Sequence, residues 1–266
     1  MLRSRILTAL ALAALLIAAI LYAPAVITAV IFVSIVLIGA WEWSAFLSVG
    51  LVGRALYVLA IAAAVPVLWY VTLDAAYFEL AMELALSWWL IALAWIIWAP
   101  QRGGRIAAGL AGALALLPTL IALVRIDGNW YQGPEWTLFI LALAFAADTG
   151  AFFAGRHFGR VPLAPRVSPN KTWEGVIGGM LLALAVAAVG VGWFGAPALS
   201  FLCLCLAAAG FSVIGDLSES LLKRQVHLKD SGRLFPGHGG MLDRIDSVTA
   251  ATPVMALGLL WLQVGK

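Results

Sequence analysis

SVIGDLSESLLKRQVHLKDSGRLFPGHGGMLDRID, residues Ser212 to Asp246, interrupts a chain that is otherwise almost continuously apolar. It carries five of the thirteen acidic residues, five of the sixteen basic ones and two of the three histidines. An apolar run enters it and another leaves it, so the stretch reads as two helix ends joined by a polar connection. On the incoming helix Ser212, Asp216, Glu219 and Lys223 follow the i, i+4, i+7 spacing and share one face, while Val213, Leu217 and Leu221 fall elsewhere. Asp243 and Asp246, three apart, project together from the start of the outgoing run. Between them Gly237-His238-Gly239-Gly240 forms a glycine-rich loop. Backbone N–H groups of such a loop, with the helix dipole behind them, favour an anion. No Gly-Lys-Ser/Thr follows, so it is not a P-loop.

The rest of the composition says what kind of helices these are. Hydrophobic residues make up 64% of the chain and charged ones 11%, against about 25% charged in soluble domains. The expected fold is therefore all-α, a polytopic integral membrane protein. With about 20 apolar residues per crossing, about nine spans are expected, near 6–22, 25–46, 55–73, 82–99, 105–124, 136–155, 174–194, 197–220 and 246–264. Residues 1–130 read as a helical scaffold and 131–266 as the helices carrying the motifs, within one membrane domain. Arg3 and Arg5 before the first apolar run, and Ala23-Pro24-Ala25 after it, have the look of a signal peptide. A second apolar run follows at once, so an uncleaved first helix is expected. Cys203 and Cys205 point to different sides of a helix and read as small buried hydrophobes.

Nine spans put fourteen of the sixteen lysines and arginines on the side of the N-terminus, with only Arg125 and Lys266 opposite. By the positive-inside rule the N-terminus and both motif loops face the cytoplasm, with the active site at that side. The net charge of +3 is too small to argue for nucleic acid, and none is expected as a partner.

Outside the central stretch, three features carry chemistry. Asp148 lies deep in its helix, where an ionised carboxylate marks a functional cavity or a structural ion pair with a helix-end arginine. The connection after it, with Pro162, Pro165 and Pro169, is stiff and basic and leads to Asn170-Lys171-Thr172. Thr172 is placed to cap the next helix, and Gly175 with Gly179 to pack it closely. Considered alone, Lys171 and the neighbouring arginines read as a positive-inside loop that meets anionic lipid head groups, the common case for juxtamembrane basic residues. Glu42, between Trp41 and Trp43, is either a snorkelling surface acid or one facing the bundle interior. His157 and His227 read as solvated, and His238 has no second His or Cys at a zinc spacing. Asp127 to Glu135 reads as the longest loop on the far side.

Three blocks resemble the phosphatidate cytidylyltransferase, or CDP-diacylglycerol synthase, family. They are Asp148-Thr149-Gly150-Ala151-Phe152, Ser168-Pro169-Asn170-Lys171-Thr172-Trp173-Glu174-Gly175, and a long one: Ser220 through Arg224, Lys229-Asp230, then Phe235 through Asp246. The motifs cover roughly residues 140–250, and the charged positions match. The resemblance implies CTP and phosphatidic acid as substrates, CDP-diacylglycerol and pyrophosphate as products, a role in phospholipid biosynthesis, and Mg²⁺ as the divalent ion.

The chemistry of that reaction fits these residue types. Two polyanions must meet, so the site has to neutralise charge and position both. Carboxylates do this through Mg²⁺, which takes one or two of them together with phosphate oxygens and water. Asp216 and Asp243 are the leading expected ligands, with Asp246 and Asp148 next. Lys171, Lys223, Arg224, Lys229, Arg233 and Arg244 would divide the phosphates. Ser168, Asn170, Thr172, His238, Gly239 and Gly240 would help bind them. Asp216, Asp243, Asp246, Lys223 and Arg244 form the expected catalytic set. Arg244 reads alternatively as an ion pair with a neighbouring aspartate, and Lys229-Asp230 as solvated loop. A CTP-dependent polyprenol kinase and an ion-coupled transporter are the rival readings, and the small packing residues allow a homodimer without demanding one.

Overall fold

A computed structural model of the chain describes residues 2–232, 234 and 239–264. The expected contacts of Arg233 and His238 lie outside these residues. Nine α-helices form among the described residues: α1 (Leu2–Tyr22), α2 (Ala25–Trp43), α3 (Leu51–Val71), α4 (Ala75–Trp98), α5 (Arg105–Asn129), α6 (Gly133–Phe158), α7 (Trp173–Phe194), α8 (Ala198–Gln225) and α9 (Leu242–Trp261). Seven of them, α2 to α8, are long and apolar enough to cross a membrane. The all-α polytopic architecture is the one the apolar runs predict. Hydrogen bonds tie helix ends together at both ends of the bundle. At one end of the bundle Arg54 at the start of α3 donates to Trp41 O and Ser44 Oγ, and Gln225 at the end of α8 donates to Pro100 O. At the other end Trp261 Nε1 of α9 donates to Glu79 of α4.

The helix at the centre is the more polar α9. It packs against α2, α4, α5, α6 and α8, and every residue from Ser247 to Leu259 is buried. A helix surrounded by protein needs no lipid-matching surface; small residues and hydroxyls bring its neighbours close. Thr119 Oγ1 of α5 lies 2.8 Å from Thr249 O of α9. Peripheral α3 shows the converse, exposing Leu51, Val52, Leu56, Leu59, Val67 and Tyr70, with Ile61 its one fully buried residue. Such a surface matches hydrocarbon.

Two expectations about connections need correction. The far-side loop expected over Asp127–Glu135 shrinks to three residues, because α5 runs on to Asn129 and α6 starts at Gly133. Gln132 turns the chain in the left-handed region (φ 54°), and a side chain at Gly133 would run into the carbonyls of Ile126 and Asp127. The stiff connection after α6 is a small antiparallel hairpin, β1 (Pro162–Ala164) with β2 (Ser168–Thr172), pairing Pro162 with Thr172 and Ala164 with Ser168. Its turn is anchored by Val167, 2% exposed, against Ile96 of α4 and Leu217 and Leu221 of α8.

The hairpin feeds directly into α7. Thr172 Oγ1 accepts the Gly175 N–H at 3.1 Å, the expected cap, and Glu174 accepts from Val161 N at 3.2 and 3.3 Å. Behind it α6 and α7 cross at backbone distance: a Cβ on Gly150 would meet Gly178 O, and one on Gly179 would meet Ala147 O. At the opposite end Trp136 stacks on Phe194 (centroids 3.5 Å apart, 13° between planes), and Phe201 closes the cluster edge-on, joining α6, α7 and α8.

Candidate active site

Four elements converge under the hairpin. The α6–α7 crossing holds Asp148 of α6 beside the base of the hairpin, and β2 places Lys171 opposite α8. Lys171 Nζ and Asp216 form an ion pair, with side chains 24% and 31% exposed. Asp148 Oδ2 accepts the Ser247 hydroxyl of α9 at 2.7 Å, so the acid is held by a serine rather than by the helix-end arginine considered above. These groups line a cavity of about 410 Å³ whose walls also include Asn170, Thr172, Gly155 and Arg156 on the polar side and Phe152, Val176 and Val213 on the apolar side. That volume lies in the range of small-ligand sites.

A second cluster lies one turn further along α8. Lys223 Nζ bridges Glu219 of its own helix at 3.1 Å and Asp243 of α9 at 2.7 Å. The pair is nearly dry: the Glu219 side chain is 1% exposed and that of Lys223 11%. Asp243 also accepts the backbone N–H groups of Gly240 (2.7 Å) and Ser231 (3.1 and 3.3 Å). Gly240 thus directs its N–H at a carboxylate here, and Gly239, in the left-handed region (φ 79°), leaves no room for a side chain beside Asp243. The two clusters join through Asp246, partly buried and within electrostatic reach of Asp216, Glu219 and Asp148. Gly215 makes this junction: its missing side chain lets α8 rest on the Asp246 carbonyl.

The structure gathers these residues into two clusters, Asp148, Lys171 and Asp216 at the cavity and Lys223 with Asp243 beyond it, so the two leading expected ligands, Asp216 and Asp243, stand in different clusters, with Asp246 near Asp216 and Asp148. Asn170 and Thr172 line the cavity, and Ser168 is half-buried in the hairpin. Arg224, Lys229 and Arg244 are exposed around this end of the bundle. Arg156, Glu219, Ser231 and Ser247 were not among the expected site residues. Glu219 was legible from its four-residue spacing to Lys223, whereas Ser247 had no signal beyond its adjacency to Asp246.

Five carboxylates, those of Asp148, Asp216, Glu219, Asp243 and Asp246, share this interior with Lys171 and Lys223; Arg156 and Arg244 sit at its exposed edge. Such an excess of inward negative charge suits a site that receives cations. Among the described residues no three Asp, Glu, His or Cys side chains are grouped to chelate one ion. Asp148 and Asp216 on the cavity wall are oxygen donors of the kind a hard divalent cation takes one or two of, beside phosphate oxygens and water.

The helical bundle and this site define a membrane protein with a charged reaction chamber at one end. Residues 3–262 match the Cytidylyltransferase family, and the chain belongs to that family. It is 39% identical over 269 residues to a protein of Pseudomonas aeruginosa called phosphatidate cytidylyltransferase, covering 98% of this chain and 97% of that one. A Haemophilus influenzae protein of the same name is 37% identical over 278 residues, 95% and 96% of the two chains. One from Brucella suis is 45% identical over 170 residues, 60% and 58% of the two.

Proposed function

We propose that this protein transfers the cytidylyl group of CTP to phosphatidic acid, releasing pyrophosphate and leaving CDP-diacylglycerol in the membrane. The family and the names of its relatives support the reaction. The observation that carries it at the level of residues is the meeting of Lys171, Asp216 and Asp148 on one cavity with both polar and apolar walls.

In the reaction a phosphate oxygen of the lipid attacks the α-phosphorus of CTP, a new P–O bond forms, and the bond to the β-phosphate oxygen breaks. The attacking phosphate is already ionised, so no side chain has to remove a proton. Lys171, at the cavity wall, is placed to exchange its bond to Asp216 for one to a phosphate. Lys223 holds Asp243 and Glu219 in place, and Arg156, Arg224, Lys229 and Arg244 supply positive charge around the entrance. Asp216, with Asp148 and Asp246 beside it and Asp243 further along, would hold Mg²⁺, which supplies neutralisation of phosphate charge. The apolar wall of Phe152, Val176 and Val213 suits the glycerol end of a lipid.

The protein is an integral membrane protein. Its bacterial relatives and the crowding of basic residues at the motif end favour the inner membrane, with the N-terminus and the site facing the cytoplasm, where CTP is found. The broad apolar face of α3 is compatible with a homodimer. Purified protein given labelled CTP with phosphatidic acid or a polyprenol tests the reaction. Labelled nucleotidyl lipid formed only with phosphatidic acid is expected, and a phosphorylated polyprenol or no lipid product would refute it.

A further inference from the structure

Glu42 lies in the last turn of α2, in the half of the chain that reads as scaffold, yet its side chain belongs to the other half. It is 5% exposed. Its Oε2 accepts the Leu242 N–H at 2.7 Å and the Ser231 hydroxyl at 3.2 Å. A Cβ on either Gly232 or Gly240 would collide with this carboxylate. Both described ends of the α8–α9 connection therefore close on Glu42.

Two consequences follow for the reacting groups. Leu242 is the first residue of α9, and the residue before it, Met241, provides no side-chain cap. The N–H groups of a helix's first turn lack partners within the helix and favour negative charge; here a carboxylate from two hundred residues earlier supplies it. Ser231 in turn gives its backbone N–H to Asp243, which receives Lys223. A continuous path runs from Glu42 through Ser231 to Asp243 and Lys223.

We infer that Glu42 is a positioning residue for cytidylyl transfer: it caps α9 and holds Ser231, fixing the orientation of Asp243 and Lys223 without touching substrate. The inference rests on the reaction proposed above. Both bonds end on one oxygen, so Glu42→Gln keeps an acceptor for both donors, while Glu42→Ala removes it.

The test is the steady-state rate of the purified full-length protein with CTP and phosphatidic acid, per folded molecule judged by size-exclusion profile. Glu42→Ala is expected to lower kcat/KM roughly ten- to a hundredfold, the range for losing hydrogen bonds to a charged acceptor. Glu42→Gln, which keeps the acceptor oxygen and loses the charge, is expected to fall between wild type and Glu42→Ala. Adding Ser231→Ala to Glu42→Ala is expected to cost less than about twofold more, because the two act along one path. Wild-type rates for Glu42→Ala, equal losses for Gln and Ala, or a loss matching only the fall in folded protein would overturn the inference. If Glu42→Ala yields no folded protein, Ser231→Ala alone decides: a kcat/KM several-fold lower at an unchanged melting temperature supports the inference, and a wild-type value overturns it. A wild-type protein that makes no CDP-diacylglycerol would refute the proposed reaction instead, so the two failures are distinguishable.

Discussion

Lys171 and Lys223 make ion pairs with similar partners in very different surroundings, and replacing each with methionine should separate stability from catalysis. Lys223 is 11% exposed and bridges Glu219, 1% exposed, and Asp243, 13% exposed. Removing one member of a buried pair leaves an uncompensated charge and costs about 3–5 kcal/mol. Asp243 retains the N–H groups of Ser231 and Gly240, so most of the cost falls on Glu219. At about 2–4 °C per kcal/mol for a chain of this size, Lys223→Met should lower the midpoint of heat-induced loss of the size-exclusion peak on the order of 10 °C. The Lys171–Asp216 pair is about a quarter to a third exposed, and pairs reached by water contribute about 0–1 kcal/mol. Lys171→Met should therefore melt within about 3 °C of wild type. Both variants should lose CTP turnover. Adding Glu219→Gln to Lys223→Met should recover stability and not activity. A Lys223→Met protein that melts with wild type, or a Lys171→Met protein that is the less stable of the two, would refute this division.

Asp216→Asn should abolish CTP-dependent lipid product while leaving the size-exclusion profile unchanged, because the residue faces the cavity; retained turnover would remove it from the site. Gly178→Val should push α6 from α7, since even a Cβ there collides with Ala154. A cost of about 1–3 kcal/mol from overpacking, read as a lower melting midpoint, should accompany reduced turnover as Asp148 shifts. Thr172→Ala should cost about 1 kcal/mol by uncapping α7, seen as a modest fall in melting midpoint with a larger fall in turnover, because Lys171 is the preceding residue.

The placement of the helices and most of the site was legible because charge is scarce here: a polar residue in an apolar chain carries its spacing visibly. Asp216, Glu219 and Lys223 announce one helix face, and Thr172 announces a cap. What spacing cannot carry is contact between distant segments. Glu42 showed an acid between two tryptophans, and nothing local distinguished a snorkelling side chain from one that caps a helix two hundred residues on. The hairpin was hidden by its prolines, which read as a stiff linker, and by strands of three and five residues. The far-side turn is shorter than Gly128, Asn129 and Gly133 signal, because α5 continues through the first two. Hydropathy ranks α9 below the spans that face lipid, yet α9 is the most enclosed helix; a scale of transfer into hydrocarbon does not measure burial in protein.

CTP and a membrane-embedded phosphate are proposed to meet at the cavity between α6, the hairpin and α8. The position of CTP in an experimental map of the protein, prepared with saturating nucleotide and magnesium, tests it most directly. The nucleotide's phosphates should lie against Lys171 and the Asp148–Asp216 wall, with the lysine released from its bond to Asp216. Phosphates bound elsewhere, with the Lys171–Asp216 pair intact, would contradict it.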